Sequence, residues 1–201
     1  MLRPDLEIIS DWINANSRVL DLGCGDGTLL AHLIEHRHVS GYGLEIQDDN
    51  ITKCLDKGLN VLQINLDEGL ADFNNNAFDY VVMTQTLQAV SYPDKLLEEM
   101  LRVGREVIVT FPNFGHWRSR MNIALQGRMP LSDSLPHAWY NTPNIRLCTL
   151  HDFEALCAEK SILITERTVV NHAHRTTIGM RWLPNFFGEI ALYRLRGAAV
   201  T

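Results

Sequence analysis

Short apolar segments typical of β-strands alternate with helix-like segments along the first 112 residues of this 201-residue chain. The strand pattern is found in "RVLDL", "SGYGLEI", "NVLQI", "FDYVVMT" and "EVIVTF". Helical spacing is found in "DLEIISDWI" and over residues 28–38, 47–57 and 93–103. Strands that alternate with helices form right-handed βαβ units, which build a parallel sheet covered by helices on both faces. The pattern therefore predicts an α/β fold.

The pattern changes towards the end of the chain. After the helix-like "TLHDFEALCAEK" come two strand patterns, "ILITERTVV" and "EIALYRL", with no predicted helix between them. Strands joined without a crossover pair antiparallel. We therefore expect a seven-stranded, mostly parallel sheet with an antiparallel C-terminal pair at one edge.

Residues 113–148 separate the fifth predicted strand from this C-terminal part. They contain three prolines and are predicted to form a helix followed by a long irregular loop. Loops of this length are rarely without function in a compact domain. We interpret the segment as a lid or insert after the fifth strand.

Length and composition fit one domain over residues 1–201, since 46% of the residues are hydrophobic and 21% are charged. The first ten residues include acids where a signal peptide needs an apolar core, and no run of about 18 apolar residues follows. We expect a soluble protein without a membrane partner. The four cysteines form no C-x-x-C pair and no disulfide framework. A cytoplasmic location is therefore predicted.

Charge is unevenly distributed along the chain. The formal net charge of -6 argues against a general nucleic-acid binder, which needs a concentrated basic surface. Residues 1–101 carry 6 Lys and Arg against 17 Asp and Glu, whereas residues 102–201 carry 12 against 7. Two interpretations stay open: solvated faces that happen to differ, or a positive region around a substrate or partner site in the second half.

The segment "VLDLGCGDGTLL" passes from a predicted strand through Asp21 into three glycines at alternate positions, followed at once by helix formers. Glycines allow positive φ and a close approach of ligand to backbone, and the N-terminus of the next helix attracts polar ligands. The spacing is G-x-G-x-G, with Thr28 where a dinucleotide-binding loop has its third glycine. Asp21 would repel a pyrophosphate and attract an ammonium group.

Glu45 stands 18 residues after Gly27, at the end of the second predicted strand. A carboxylate at this place suits two hydrogen bonds to a ribose diol. An unphosphorylated adenosine joined to an amino acid satisfies all these requirements. S-adenosylmethionine is such a molecule.

"VLDLGCGDG" followed by "GYGLEI" resembles the first two motifs of class I S-adenosylmethionine-dependent methyltransferases. The resemblance implies a Rossmann-like fold that binds S-adenosylmethionine or S-adenosylhomocysteine. The loop and Asp21 would hold the methionine part, Glu45 the ribose, and Asn65 with Leu66 the adenine. Many relatives have Asp at the position of Asn65, whose carbonyl oxygen also accepts from the adenine amino group. The implied cofactor-binding residues are Asp21, Gly23, Cys24, Gly25, Gly27, Glu45, Ile46, Asn65, Leu66 and Gln85.

Four further segments, "TQTLQAV", "TFPNFGHWR", "GRMP" and "WYNTPNIRLCTLHDF", together resemble the MetW family of methionine-biosynthesis proteins, from about residue 2 to the end. The resemblance implies an accessory or regulatory subunit of homoserine O-acyltransferase that binds the cofactor. The alternative is an S-adenosylmethionine-dependent methyltransferase acting on a small molecule. The fourth strand ends in "MTQTL", so the motif of amino-directed DNA methylases is missing.

Substrate or lid residues are expected among His116, Trp139 and Tyr140, which follow the fifth strand. No metal site is predicted, because His172 with His174, and the histidines near residues 32–38, lack a further ligand. The segment "MRWLPNFFGE" contains Trp182, Phe186 and Phe187. These aromatic residues either cover an edge of the sheet or form a partner-binding patch.

Overall fold

The structure is a computed structural model that describes residues 2–132, 135–171 and 178–198. Within these residues seven strands form one sheet: β1 (Arg18–Leu22), β2 (Ser40–Glu45), β3 (Val61–Gln63), β4 (Phe78–Thr84), β5 (Gly104–Pro112), β6 (Ile162–Val170) and β7 (Ile190–Gly197). The described helices are α1 (Pro4–Trp12), α2 (Thr28–Arg37), α3 (Asp48–Asp56), α4 (Pro93–Val103), α5 (Trp117–Gln126), α6 (Leu150–Glu159), α7 (Ile178–Trp182) and α8 (Pro184–Phe187).

The strand order in the sheet is β3-β2-β1-β4-β5-β7-β6. The first five strands pair in parallel, and β7 runs antiparallel to both β5 and β6. The predicted mostly parallel sheet with an antiparallel C-terminal pair is confirmed. Successive strands are added on one side of β1 up to β3, and then on its other side from β4 onwards. The carboxyl ends of β1 and β4 therefore border a crevice where ligands bind in such sheets.

Helices cover both faces of the sheet. Alternate residues of β1 and β4 belong to different apolar clusters: Leu20 and Met83 lie in one, Val19 and Val82 in the other. The first cluster is completed by apolar residues of α4 and α6, and the second by those of α1 and α2. The two layers bury the central strands and leave their carboxyl edge for a site.

The connection from β6 to β7 corrects one prediction. It was expected to contain no helix, but α7 and α8 lie there, and Pro184 begins α8. Helices of five and four residues are too short to show a helical period in a sequence, which explains the error. No helix in the described part of the chain is long and apolar enough to cross a membrane.

The segment after β5 follows the prediction in outline. It begins with α5 and continues, over the residues that are described, without further regular helix or strand up to α6. Two isolated bridges, Asn113 with Cys148 and Ser132 with Leu135, are its only described β-type contacts.

Candidate functional site

The three glycines between β1 and α2 all have positive φ, which other residues rarely adopt, but Gly25 and Gly27 differ in their surroundings. A Cβ at Gly27 would lie 2.3 Å from Leu59 Cδ1 and 2.9 Å from Cys54 Sγ. A Cβ at Gly25 would meet nothing within 4 Å. Gly27 is therefore fixed by packing, whereas Gly25 borders open space in which a ligand can approach the backbone.

Glu45 holds this loop against the end of β2. Its Oε2 accepts a hydrogen bond from the Gly25 N–H at 2.8 Å. Its Oε1 accepts from the N–H groups of Ile46 and Gln47 at 2.8 and 3.0 Å. Since a carboxylate has about four acceptor positions, one site remains for a further donor. The side chain is thus both an anchor of the loop and an acceptor at its surface.

Asp21 lies beneath the loop, and only 1% of the residue is exposed. Neither carboxylate oxygen has a hydrogen-bond partner in the part of the chain that the structure describes. Burial, and to a smaller degree the charge of Glu45, raise the pKa of Asp21 to about 7. A buried carboxyl without partners is costly, so this group is expected to gain from a nearby cation.

A first cavity of about 380 Å³ opens between the ends of β1, β2 and β3. Five of the predicted site residues line it: Gly23, Glu45, Ile46, Asn65 and Leu66. Its wall also contains residues that the sequence did not single out, among them Asn50, Thr86 and Val90. Thr86 and Val90 belong to "TQTLQAV", so that segment carried a signal for them.

A second cavity of about 460 Å³ lies on the other side of the loop. Gly23 contributes to this cavity as well, and so do Cys24, Gly25 and Gln85. The remaining wall comes from Asp26, Thr84, the start of α2, and the N-terminal residues Leu2, Arg3 and Leu6. The N-terminal residues belong to no recognisable motif, which is why the sequence did not indicate them.

Asn65 and Gln85 are held in place by backbone bonds. Asn65 Oδ1 accepts from the Asp67 N–H at 3.1 Å and thereby caps a short 3₁₀ turn, Leu66–Glu68. The Gln85 N–H donates to the carbonyl and the hydroxyl of Thr110, both at 3.0 Å, and its φ is +50°. These bonds hold the Asn65 side chain and the Gln85 backbone in place in the cavity walls.

The predicted substrate or lid residues are not brought into either cavity. His116 lines a separate cavity beyond β5. Trp139 and Tyr140 are 75% and 74% exposed and contact each other edge to face, with ring centroids 5.7 Å apart. Their role as a lid remains a prediction.

A buried network around Asn113 was missed by the sequence analysis. Asn113 Nδ2 donates to the carbonyls of Asn185 and Gly188 at 3.0 and 2.8 Å, and its Oδ1 accepts from the Gly115 N–H at 2.9 Å. Asn185 Oδ1 in turn accepts from the Leu150 N–H. This asparagine of "TFPNFGHWR" joins the end of β5 to the connection before β7.

The described histidines lie in different parts of the chain. The rings of His32 and His36 stack with centroids 4.2 Å apart. His172 and His174 lie outside the described residues. Within the residues that are described, no group of three or more His, Cys, Asp or Glu side chains could hold a metal ion.

The aromatic residues before β7 form an exposed surface. Trp182 is 82% exposed, and Phe186 and Phe187 are more than a third exposed. Trp182 therefore does not cover the edge of the sheet. The Arg120 guanidinium lies 5.8 Å from the centre of the Phe186 ring, so that α5 borders this surface. We call Trp182, Phe186 and Phe187 the aromatic patch.

A family model described as "Methionine biosynthesis protein MetW" matches residues 3–195. The chain belongs to the MetW family. A bifunctional methionine biosynthesis protein MetXA/MetW from Rhodopirellula baltica is 38% identical over 174 residues, which cover 82% of this MetW-family chain. The chain spans 28% of the length of that relative.

Solved structures share the fold of this MetW-family chain at low sequence identity. A possible histamine N-methyltransferase from Thermotoga maritima is 16% identical with a TM-score of 0.65, and the match covers 97% of this chain and 88% of that one. Haemonchus contortus phosphoethanolamine N-methyltransferase 2, in complex with S-adenosylhomocysteine, is 14% identical with a TM-score of 0.70. That match covers 96% of this chain and 52% of the other. The predicted Rossmann-like methyltransferase fold is confirmed.

Proposed function

We propose that this MetW-family chain binds S-adenosylmethionine or S-adenosylhomocysteine at the carboxyl edge of its sheet. The buried carboxylate of Asp21, which has no hydrogen-bond partner among the described residues, carries the proposal, because a ligand ammonium close to the loop would compensate it. The open space beside Gly25 supports it further. Relatives of the same fold have been solved with either molecule.

The two cavities suggest where each part of the ligand lies. In this proposal the adenosine lies in the first cavity, where Glu45 accepts from the ribose and Asn65 from the adenine amino group. The methionine part lies against the loop, and Gln85 lines the second cavity beside it. The chemistry that S-adenosylmethionine supplies when bound is an electrophilic methyl group. The chain itself binds and orients the ligand.

Calorimetric titration tests the cofactor proposal. We expect binding of S-adenosylmethionine or S-adenosylhomocysteine and much weaker binding of NAD, because the third dinucleotide glycine is missing and Asp21 disfavours a pyrophosphate. Glu45→Ala should weaken binding by about 1.5–3 kcal/mol, the range for hydrogen bonds to a charged group. Asp49→Ala, an exposed acid outside the first cavity, is the matched control. Equal affinity for NAD, or an unchanged Glu45→Ala variant, would overturn the assignment.

We further propose that the chain acts as an accessory or regulatory subunit of homoserine O-acyltransferase. The support is the relative in which MetXA and MetW are parts of one chain, since a fusion keeps two functions together. The aromatic patch is the surface we assign to this contact, because aromatic residues and Arg anchor protein interfaces. Arg120 and the exposed Arg181 lie on or beside the patch and fit a partner surface with acidic groups.

Sedimentation of the two proteins together tests this partnership. We expect a complex in which the acyltransferase changes in activity or stability. Trp182→Ala with Phe186→Ala should dissociate it and leave S-adenosylhomocysteine binding unchanged, because neither residue lines the two cavities. Tyr92→Ala, which removes an exposed aromatic side chain elsewhere, should have no effect. Independent sedimentation at micromolar concentrations with no mutual effect on activity would refute the partnership.

The second cavity favours one alternative function, a methyltransferase for a small molecule. Its volume of about 460 Å³ suits an acceptor beside Gln85, and residues 113–148 with Trp139 and Tyr140 would serve as its lid. Methyl transfer needs alignment more than a specialised base. The activity would be supported if the chain, given S-adenosylmethionine and a small-molecule extract, forms S-adenosylhomocysteine, and if Glu45→Ala abolishes this formation. The free cysteines fit a cytoplasmic location for either function.

A further inference from the structure

Arg3 stands at the start of α1 and lines the second cavity. Its carbonyl accepts hydrogen bonds from the N–H groups of Leu6 and Glu7 at 2.9 and 3.1 Å, which tie it to the first turn of the helix. Leu6 and Ile9 anchor α1 in the apolar core beside β1. The fold therefore fixes the Arg3 backbone beside the glycine loop, and the proposed function assigns no role to this residue.

The Arg3 side chain is oriented by Asp5. Its Nε donates to Asp5 Oδ1 at 2.7 Å, and its Nη2 donates to Asp5 Oδ2 at 2.9 Å. The Asp5 side chain is fully buried, whereas 44% of the Arg3 side chain is exposed. Because a guanidinium has five N–H donors, the Nη1 group and one hydrogen of Nη2 are left without a partner among the described residues. The guanidinium is thus held in place and can still donate to an anion.

The other charged side chains around the two cavities are acidic. Among the described residues that line them, Arg3 is the only lysine or arginine. Glu45 and Asp67 line the first cavity, Asp26 lines the second, and Asp21 lies beneath the loop. A ligand carboxylate would be repelled by these acids, so it needs a cation close by. Arg3 is the residue in the cavity walls that can supply it.

The N–H groups at the start of the glycine loop are already used within the protein. Those of Gly23 and Cys24 donate to the Leu44 carbonyl at 2.8 and 3.0 Å. That of Gly25 donates to Glu45 Oε2 at 2.8 Å. A carboxylate beside this part of the loop therefore depends on a donor from a side chain.

We propose that the Arg3 guanidinium binds the carboxylate of the amino-acid part of S-adenosylmethionine or S-adenosylhomocysteine. The inference rests on the proposed cofactor binding and deepens it, since it assigns the second charged group of the ligand. The ligand ammonium lies near Asp21 and the carboxylate at Arg3, so that both charges are compensated. Guanidinium and carboxylate form charge-assisted hydrogen bonds of fixed geometry. Arg3 thus selects a nucleoside that carries an intact amino acid.

Lys57 also lies at the loop but is less suited to this role. Its Nζ donates to the carbonyl and to Oδ2 of Asp26 at 2.6 and 3.0 Å, and to Thr28 Oγ1 at 3.2 Å. An ammonium has three donors, and these bonds use all of them. Lys57 lines neither cavity. It supports the loop and does not contact the ligand.

Calorimetric titration with two matched ligands tests the proposal. One is S-adenosylhomocysteine, and the other is decarboxylated S-adenosylhomocysteine, which keeps the amino group but lacks the carboxylate. The parent chain should bind S-adenosylhomocysteine about 10- to 100-fold more tightly, the effect of hydrogen bonds to a charged group. In Arg3→Gln, affinity for S-adenosylhomocysteine should fall about 10- to 100-fold, and affinity for the decarboxylated ligand should change by less than about threefold.

Two further variants control for an effect on the fold. Arg3→Lys keeps the positive charge beside Asp5 but not the planar fork, so it should retain part of the preference for S-adenosylhomocysteine. Arg37→Gln is the matched control, because Arg37 also forms an ion pair with an acid of α1, Asp11, but lines neither cavity. It should leave both affinities unchanged. Thermal unfolding without ligand shows whether each variant is folded.

The outcomes separate this inference from the proposed function. An equal loss of affinity for both ligands in Arg3→Gln would show that Arg3 acts through the fold and not on the carboxylate. If the parent binds S-adenosylhomocysteine and the folded Arg3→Gln variant binds it as tightly, this inference alone is refuted. A parent chain that binds neither ligand would refute the proposed cofactor binding, and this inference with it.

Discussion

The glycine loop after β1 and the network around Asn113 lie at the same edge of the sheet but are built in opposite ways. In the loop, the side chain that holds the backbone comes from nearby in the chain: Glu45 accepts from Gly25, 20 residues earlier. In the network, Asn113 donates to the carbonyls of Asn185 and Gly188, 72 and 75 residues later. The loop is therefore recognisable as a sequence motif, whereas the network exists only in the folded chain.

The two regions also differ in how they satisfy buried polar groups. Asn113 uses both its amide hydrogens and its oxygen within the protein. Asp21 has two buried oxygens without a partner among the described residues. Satisfied buried groups stabilise a fold, whereas an unsatisfied one calls for an explanation, such as a bound water, ion or ligand. The network thus supports structure, and the loop is the place where we propose that a ligand binds.

Asn113→Ala should have the largest effect on stability. It leaves the carbonyls of Asn185 and Gly188 and the N–H of Gly115 without partners in a buried place, at about 1–3 kcal/mol each. We expect the free energy of unfolding in urea to fall by about 3 kcal/mol or more. The loss should be the same at pH 5 and pH 8, because an amide does not titrate.

Asn60→Ala, at an exposed position, is the control for this variant and should change stability by less than about 0.5 kcal/mol. Under conditions where the Asn113→Ala variant is folded, its affinity for S-adenosylhomocysteine should equal that of the parent, since Asn113 lines neither of the first two cavities. A stability change below about 1 kcal/mol would show that these hydrogen bonds do not hold the connection.

Asp21→Asn should raise the free energy of unfolding, whereas Asn113→Ala lowers it. The gain should depend on pH. Burial raises the pKa of Asp21 from 3.8 to about 7, with a smaller contribution from the charge of Glu45. Between these values the folded chain holds a proton that the unfolded chain has lost. The stability of the parent chain therefore falls as pH rises from about 4 to 7, and the penalty is complete above 7.

The measurement compares urea unfolding of the two chains at pH 4 and pH 8. The free energy of unfolding of the Asp21→Asn variant minus that of the parent should be larger at pH 8 than at pH 4. The increase should be on the order of 4 kcal/mol, which follows from the pKa difference. Glu45 also faces this group, so Glu45→Gln should reduce the difference only in part. A gain that is equal at both pH values would contradict an ionised Asp21 as the source of the penalty.

This contrast between the regions explains what the sequence predicted. The loop, Glu45 and the seven strands were found because periodicity and glycine spacing are local properties. Several residues that line the first cavity were predicted, since Gly23, Glu45 and Asn65 all lie at or just after strand ends at one edge. The sequence predicted β6 and β7 only as an antiparallel edge pair. It did not predict that β7 lies between β5 and β6.

The residues that were missed have no local signature. Leu2, Arg3 and Leu6 line the second cavity because α1 packs beside the loop, and nothing in their own sequence indicates this. Glu189 precedes β7 and meets His116 from a distant part of the chain. The short helices α7 and α8 lack the length for a detectable period. Such features follow from tertiary packing and not from propensity.

The smallest expected effect concerns Asn65, where the loop region meets the adenine part of the proposed ligand. Asn65 Oδ1 already accepts from the Asp67 N–H and has a second acceptor position for the adenine amino group. Asn65→Asp keeps this oxygen, so affinity for S-adenosylhomocysteine should stay the same or rise. Asn65→Leu should weaken it by about 1–2 kcal/mol, because the amino group is left without a partner in the cavity.

Thermal unfolding of the ligand-free chains separates this effect from loss of the turn cap. Asn65→Leu also removes the acceptor for Asp67 N–H and should lower stability slightly, at about 1 kcal/mol, a cost that binding measurements on the folded variant do not include. If the Asn65→Leu variant binds S-adenosylhomocysteine as tightly as the parent, the adenine does not lie at Asn65. The ligand would then contact the loop but not the Asn65 side of the first cavity. The proposal of a nucleotide site would in that case rest on Glu45 and Gly25 alone.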